Sequence, residues 1–365
     1  MADSKQHLVF ITSCTTGDAG AITAFNLDTA TGTLEQLQRN TDVENPFFIA
    51  LSPERKFLYS VQIPGSFESD PGYIAAFEMV GDAGELRKLN EQPAKGLTTC
   101  YVDVDPTGKA VVFANYTSGS VGSYPVRADG SLGEMTSLMQ HEGASLVNAD
   151  RQEAAHAHCA VISPSGKHMY ACDLGVDQIL GYALDAESAT LTPLDQSYVR
   201  TIGGGGPRHF TYHPRGGYVY ANNELANSVN VYSYDESTGM LIERQVISTL
   251  PDDFDGGSYT ADIKITPNGS HLYCTNRMHD SIAIYRIGDD GCLTLVDIQS
   301  SLGNFAQNLA ITPDGNMLLC ANMHLDDAGG DGANVAVFRI DAASGKLTAV
   351  GDPLALAKPS CIMIV

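Results

Sequence analysis

Residues 206–224, GPRHFTYHPRGGYVYANNE, hold the chain's densest grouping of side chains able to do chemistry. Arg208 and His209 open one apolar strand, and Glu224 follows the end of the next. Between them, His213-Pro214-Arg215-Gly216-Gly217 reads as a turn, because proline presets the first turn position and glycine tolerates a left-handed one. Strands of six or seven residues, rising about 3.3 Å each, come back to the same edge after such a reversal. An arginine and a carboxylate about 16 positions apart thereby become neighbours. A guanidinium, an imidazole and a carboxylate at one strand edge suit anion recognition and proton transfer.

The elements that must position this group repeat along the chain. A Gly-x-Leu element recurs at Gly32, Gly84, Gly130, Gly239, Gly291 and Gly345, with a degenerate copy at Ala189. Each copy follows an alternating strand such as ITAFNLD, VNVYSYD or VAVFRID. A second marker is a proline turn at Pro53, Pro106, Pro164, Pro214, Pro267 and Pro313. Each unit therefore reads strand A, proline turn, strand B, loop, strand C, tight turn, strand D. Four antiparallel strands repeated roughly every 50 residues predict an all-β, seven-bladed propeller formed by residues 1–365 as one domain. The seventh proline turn is missing: HLVFITS begins directly as a B-type strand, and PSCIMIV ends the chain as an A-type strand. The last strand is expected to complete the first blade and close the ring, protecting edges that would otherwise pair with other chains. The segments 139–155, 64–72 and 324–334 read as surface excursions, and Gly203–Gly206 as a flexible D-to-A connection rather than a phosphate loop, which should open a helix.

Counting from each proline compares the blades at the face that carries the B–C loops. Six residues before it stand Phe47, Cys100, His158, Arg208, Ala261 and Gln307, and ten after it Ile63, Tyr116, Leu174, Glu224, Arg277 and Met323. His158, Arg208, Glu224 and Arg277 break the apolar habit and are the catalytic candidates, expected to crowd the mouth of the central channel. Gln307 joins them as a candidate substrate contact, with His209 and His156. Nine residues after each proline stand Gln62, Asn115, Asp173, Asn223, Asn276 and Asn322. A polar residue used in every blade favours capping of the B–C loop, although Asn223 and Asn276, in the arginine-bearing blades, are kept as candidate substrate contacts. His156 and His158 share a strand face and could pair on a metal, but no third ligand set of recognised spacing accompanies them. Neither metal nor cofactor is expected.

Composition bounds the partners. A formal charge of −22 argues against nucleic acid and anionic membrane surfaces. No apolar run approaches a membrane span, and MADSKQHLVFITS lacks the pattern of a signal peptide. Eight cysteines without a CxxC pair, several inside apolar strands, are read as free buried thiols in a reducing, cytoplasmic setting. The expected partner is a small anion, met by a monomer or weak homo-oligomer.

The stretches HAHCAVISPSGKHMYACDLGVDQI, GPRHFTYHPRGGYVYANNELANSVNVY and ADIKITPNGSHLYCTNR resemble the seven-bladed propeller lactonase family. That family includes bacterial 6-phosphogluconolactonases and fungal 3-carboxy-cis,cis-muconate lactonising enzymes. The resemblance covers essentially all seven repeats and implies an active site of His158, Arg208, Glu224 and Arg277. At blade seven many bacterial members carry Pro-Arg where this chain has Ala306-Gln307, which bears on whether the substrate is phosphorylated. The resemblance implies hydrolysis of a sugar lactone, with Glu224 taking a proton from water, His158 protonating the leaving ring oxygen and the arginines stabilising the oxyanion. Cycloisomerisation of a carboxymuconate is the alternative, and a non-catalytic binding propeller is a third reading.

Overall fold

The computed structural model describes residues 5–67, 69–324 and 332–365. Seven antiparallel sheets follow one another around a central channel. In blade five, Pro207–Tyr212 pairs with Tyr218–Asn223, which pairs with Ser228–Asp235 and then with Met240–Ser248. Burial falls outward: every residue of the B strands Ala110–Asn115 and His168–Asp173 is buried, whereas the D strand Met240–Ser248 is mostly exposed. The core therefore lies between neighbouring blades, around their inner strands. The chain's last strand, Pro359–Ile364, pairs with Gln6–Ser13 and closes the ring. Blade seven carries an additional short strand, Leu354–Ala355, beside Asn334–Ile340. Among the described residues, no helix is long and apolar enough to cross a membrane.

Both sequence markers have a mechanical role. In the proline turns, Gly216 N–H donates to His213 O at 2.8 Å and Gly269 N–H to Thr266 O at 2.8 Å, with both glycines left-handed. The Gly-x-Leu elements join one blade to the next. Tyr220 Oη donates to Gly291 O at 2.9 Å, and Tyr273 Oη to Gly345 O at 2.8 Å, each across a blade boundary. A Cβ on Gly291 would fall 2.3 Å from the Tyr218 ring, at a φ of +75° that already favours glycine. Two residues on, Leu293 N–H donates to Gln245 Oε1 at 2.7 Å while Gln245 Nε2 donates back to Leu293 O at 2.9 Å. Gln196 with Leu241 and Gln299 with Leu347 repeat this pairing.

The segment 139–155 runs largely over the surface, as expected, but is anchored to the fold: Gln152 is fully buried, and its Nε2 donates to Leu174 O at 2.8 Å and Asp177 Oδ1 at 2.7 Å. The glycine-rich connection is pinned rather than flexible, because Gly204 N–H and Gly206 N–H donate to Asp177 Oδ2 and Oδ1 at 2.7 and 2.8 Å. One carboxylate thus ties the segment carrying Arg151 to the loop that leads into Arg208. In the segment 64–72, Phe67 packs inward against Phe47. Most of the segment 324–334 lies outside the described residues.

Candidate active site

In three blades the position six residues before the proline reaches the channel through a shared irregularity. The A–B pairing skips Cys100 in blade three, Arg208 in blade five and Gln307 in blade seven, and slips between Thr260 and Ile263 in blade six. A bulge of this kind redirects one side chain out of the pleat. Here it turns Cys100, Arg208 and Gln307 into a cleft of about 260 Å³ at the channel mouth. Of the twelve positions counted from the prolines, all but Ala261, Ile63 and Leu174 line it.

Glu224 is the hub of the cleft. Its backbone N–H donates to Gly206 O at 2.7 Å, which closes the blade-five hairpin end as the turn reading requires. Arg208 Nε and Arg277 Nη2 both reach Glu224 Oε2 at 2.9 Å, and Arg151 Nη2 reaches Oε1 at 2.6 Å. Each guanidinium is held from behind. Arg208 donates from Nη1 to Ala261 O and, at 3.2 Å, to His209 Nε2. Arg277 Nη2 donates to Thr260 O at 3.2 Å, and its guanidinium lies 5.0 Å from the Phe305 ring centroid. Arg151 Nη2 also donates to Tyr116 Oη at 3.0 Å. His158 stands beside them, edge-on to Tyr116 at 5.3 Å, with its backbone N–H bonded to Cys172 O.

A family model for the seven-bladed β-propeller lactonases matches residues 8–364. The chain belongs to that family. It is 32% identical over 358 residues to the 6-phosphogluconolactonase of Bacillus subtilis, covering 98% of both chains. It is 30% identical over 345 residues to the 6-phosphogluconolactonase of Formosa agariphila, covering 93% of this chain and 94% of that one. Among solved structures, the periplasmic gluconolactonase PpgL of Pseudomonas aeruginosa superposes with a TM-score of 0.91 at 27% identity, covering 99% of each chain.

The remaining candidate residues divide. Gln307 lines the cleft. His209 sits behind it, with Nδ1 2.8 Å from Asp262 Oδ1, and orients Arg208 rather than facing the cavity. His156 is turned aside: its ring stacks on Tyr116, with Nδ1 3.2 Å from Tyr116 O and Nε2 3.0 Å from Glu153 Oε1. Both of its nitrogens are thus committed, and among the described residues no cluster of three or more His, Cys, Asp or Glu side chains is arranged to hold a metal. Asn223 and Asn276 do not line the cleft. They bond Ser228 and Asn230, and Thr249 O and Ser281, respectively, within the loop network. These two are loop caps, as the repetition of the position favours. Sequence reasoning missed Arg151, because no repeat landmark flags it within the 139–155 segment.

The electrostatics of the cleft bear on which group could move a proton. Burial pushes the Glu224 carboxyl up, but Arg277, Arg208 and Arg151 outweigh it and hold the group far below the usual carboxylate range. A carboxylate so stabilised is a weak proton acceptor, which counts against the expected base role. Burial and Arg208 hold His158 well below its ordinary value, against the pull of Glu224, so the ring is neutral at pH 7. Burial and the other arginines lower Arg277 to about 10, which still leaves it charged. Burial and Arg208 similarly depress His209 to about 4, against Asp262. The neutral ring is the state in which Nε2 can accept from Arg208.

Cys100 stands beside His158, with Sγ 3.9 Å from Nδ1, but burial raises its pKa far above the thiol range despite Arg208. A thiol held protonated is a poor nucleophile. Cys100→Ala is therefore expected to keep turnover within about threefold of the parent, a modest change for loss of a small buried group. A loss of a hundredfold or more, or trapping of Cys100 by iodoacetamide at pH 7.5, would reinstate it as a nucleophile.

Proposed function

We propose that this protein hydrolyses the ester of an anionic sugar lactone, with 6-phosphogluconolactone as substrate and 6-phosphogluconate as product. The observation that carries the reading is the charge state of the cleft. Three guanidiniums surround one carboxylate, leaving two positive charges uncompensated against Phe47, Phe67, Phe305 and Met323. Such a site favours an anion, and fixed donors near a low-dielectric wall also stabilise an oxyanion developing on the ester carbonyl. Room for the rest of the molecule lies outward, where a recess of about 600 Å³ shares Phe47, Phe67 and Met323 with the cleft. The names of the bacterial relatives support the same reading.

In this mechanism His158 carries the proton. Its neutral ring takes a proton from the attacking water as the oxygen adds to the lactone carbonyl, and the guanidiniums hold the resulting oxyanion. When the tetrahedral intermediate collapses, the imidazolium gives that proton to the departing ring oxygen. Glu224 positions the three arginines and offsets one of their charges. An anionic substrate would offset Arg208 further and raise the affinity of His158 for its proton.

Purified protein should be assayed separately with 6-phosphogluconolactone, unphosphorylated gluconolactone and 3-carboxymuconate. Preferred turnover of the phosphorylated lactone is expected, and turnover of carboxymuconate alone would replace this reading with the cycloisomerase one. Arg277→Met is expected to weaken 6-phosphogluconate binding by about 1.5–3 kcal/mol, as for a hydrogen bond to a charged group. The loss should shrink as salt rises, because both charges face the cleft. Titration calorimetry at two salt concentrations checks it, and unaltered affinity would remove Arg277 from the site.

A further inference from the structure

Gln307 has a polar group that the protein leaves unused. Its side chain is turned into the cleft by the bulge of blade seven, and the residue is 4% exposed. Its Oε1 is buried with no hydrogen-bond partner. Buried acceptors are costly to leave unpaired, and almost all of them are satisfied in folded proteins. Arg208 Nε is likewise without a directed hydrogen bond, but it is ion-paired with Glu224, and Arg208 Nη1 and Arg277 Nη2 donate to backbone carbonyls. Two uncompensated positive charges in the cleft favour the oxygen end of the amide on their side. What is missing is a hydrogen-bond donor, and a phosphate dianion or carboxylate cannot supply one. A hydroxyl group can.

We infer that Gln307 is a specificity-determining residue of this cleft, accepting a hydrogen bond from a hydroxyl of an anionic, hydroxylated ligand. This rests on the lactonase reading and narrows it. A polyhydroxylated lactone or its acid carries donors along its whole chain, whereas a carboxymuconate ionised at neutral pH carries carboxylates and alkene carbons and offers none. A site built to bond a hydroxyl rejects an analogue that lacks it more strongly than a shape-selective apolar pocket does. Gln307 therefore sets a preference among anions that the arginines alone would hold equally well.

The test compares ligands of equal charge and does not need turnover. Gluconate and hexanoate share chain length and a single carboxylate but differ in hydroxyls. Titration calorimetry on the wild-type protein, Gln307→Met and Gln307→Glu gives the affinity ratio of the two acids for each. The wild type is expected to prefer gluconate by at least about tenfold. Met removes the acceptor at similar length and should reduce that ratio about tenfold or more. Glu keeps an oxygen acceptor without an N–H donor, so it should retain the ratio within about threefold while weakening both acids together. No gluconate preference in the wild type, an unchanged ratio in Gln307→Met, or equal collapse in Gln307→Met and Gln307→Glu would each overturn the inference. Parallel rates with 6-phosphogluconolactone and hydroxyl-free δ-valerolactone separate the two readings. If neither lactone is turned over but the binding ratios behave as stated, the lactonase proposal fails and the hydroxyl site stands.

Discussion

Replacing His158 with glutamine is expected to lower kcat by about 10²- to 10⁴-fold, the usual contribution of positioned proton transfer. Glutamine can still hydrogen-bond but cannot carry a proton at neutral pH. The fold should tolerate the change. The ring's contact with the Cys100 thiol is weak, with Sγ 3.9 Å from Nδ1, and the backbone bond from His158 N–H to Cys172 O does not depend on the side chain. The pH dependence gives a second readout. In the proposed mechanism His158 acts as the neutral ring, and burial with Arg208 holds its pKa well below 6.5 in the free protein. The acid limb of kcat/KM should therefore fall below pH 6.5. The acid limb of kcat, which reports the substrate complex, should lie at higher pH, because a bound anion offsets Arg208. Turnover within a few-fold of wild type at an unchanged thermal midpoint would show that another group moves the proton.

The fold was legible because its markers are mechanical requirements that recur in six of the seven blades. Glycine stands at left-handed turns packed against the neighbouring blade, as Gly291 is against Tyr218. The count from each proline worked because strand B has nearly constant length and a bulge falls at the same point of strand A. His158, Arg208, Glu224, Arg277 and Gln307 were accessible to that count. Arg151 and Phe67 were not, since both arrive on irregular segments whose path is set by tertiary bonds such as those of Asp177. The chemistry of Glu224 was hidden for a related reason. One or two arginines beside a carboxylate are compatible with a base, and the third, Arg151, comes from a segment that the repeat does not describe. His209 also illustrates the limit: spacing placed it at the site, but the partner that draws it back, Asp262, lies on blade six.

Glu224→Gln is expected to destabilise the protein by about 3–5 kcal/mol, the cost of breaking a buried ion pair from one side. The residue is 2% exposed, and both its oxygens are taken by guanidiniums, so the amide would leave three cations facing one another without a counter-charge. The arginines remain charged at pH 7, so proton loss does not relieve this. The pH dependence has a definite sign. The folded pKa of Glu224 is depressed relative to an unfolded value of about 4.3, so its stabilisation is complete above that value and is lost as pH falls below it. The variant should lack this contribution at every pH, and the two denaturation midpoints should converge between about pH 5 and pH 2. An added anion gives a sharper test. Sulfate or 6-phosphogluconate placed among the uncompensated arginines should raise the midpoint of Glu224→Gln more than that of the wild type, since ligands stabilise by mass action in proportion to their affinity for the folded state. A variant as stable as the wild type at pH 7, with no greater response to either anion, would mean that the carboxylate is not what holds the three guanidiniums together.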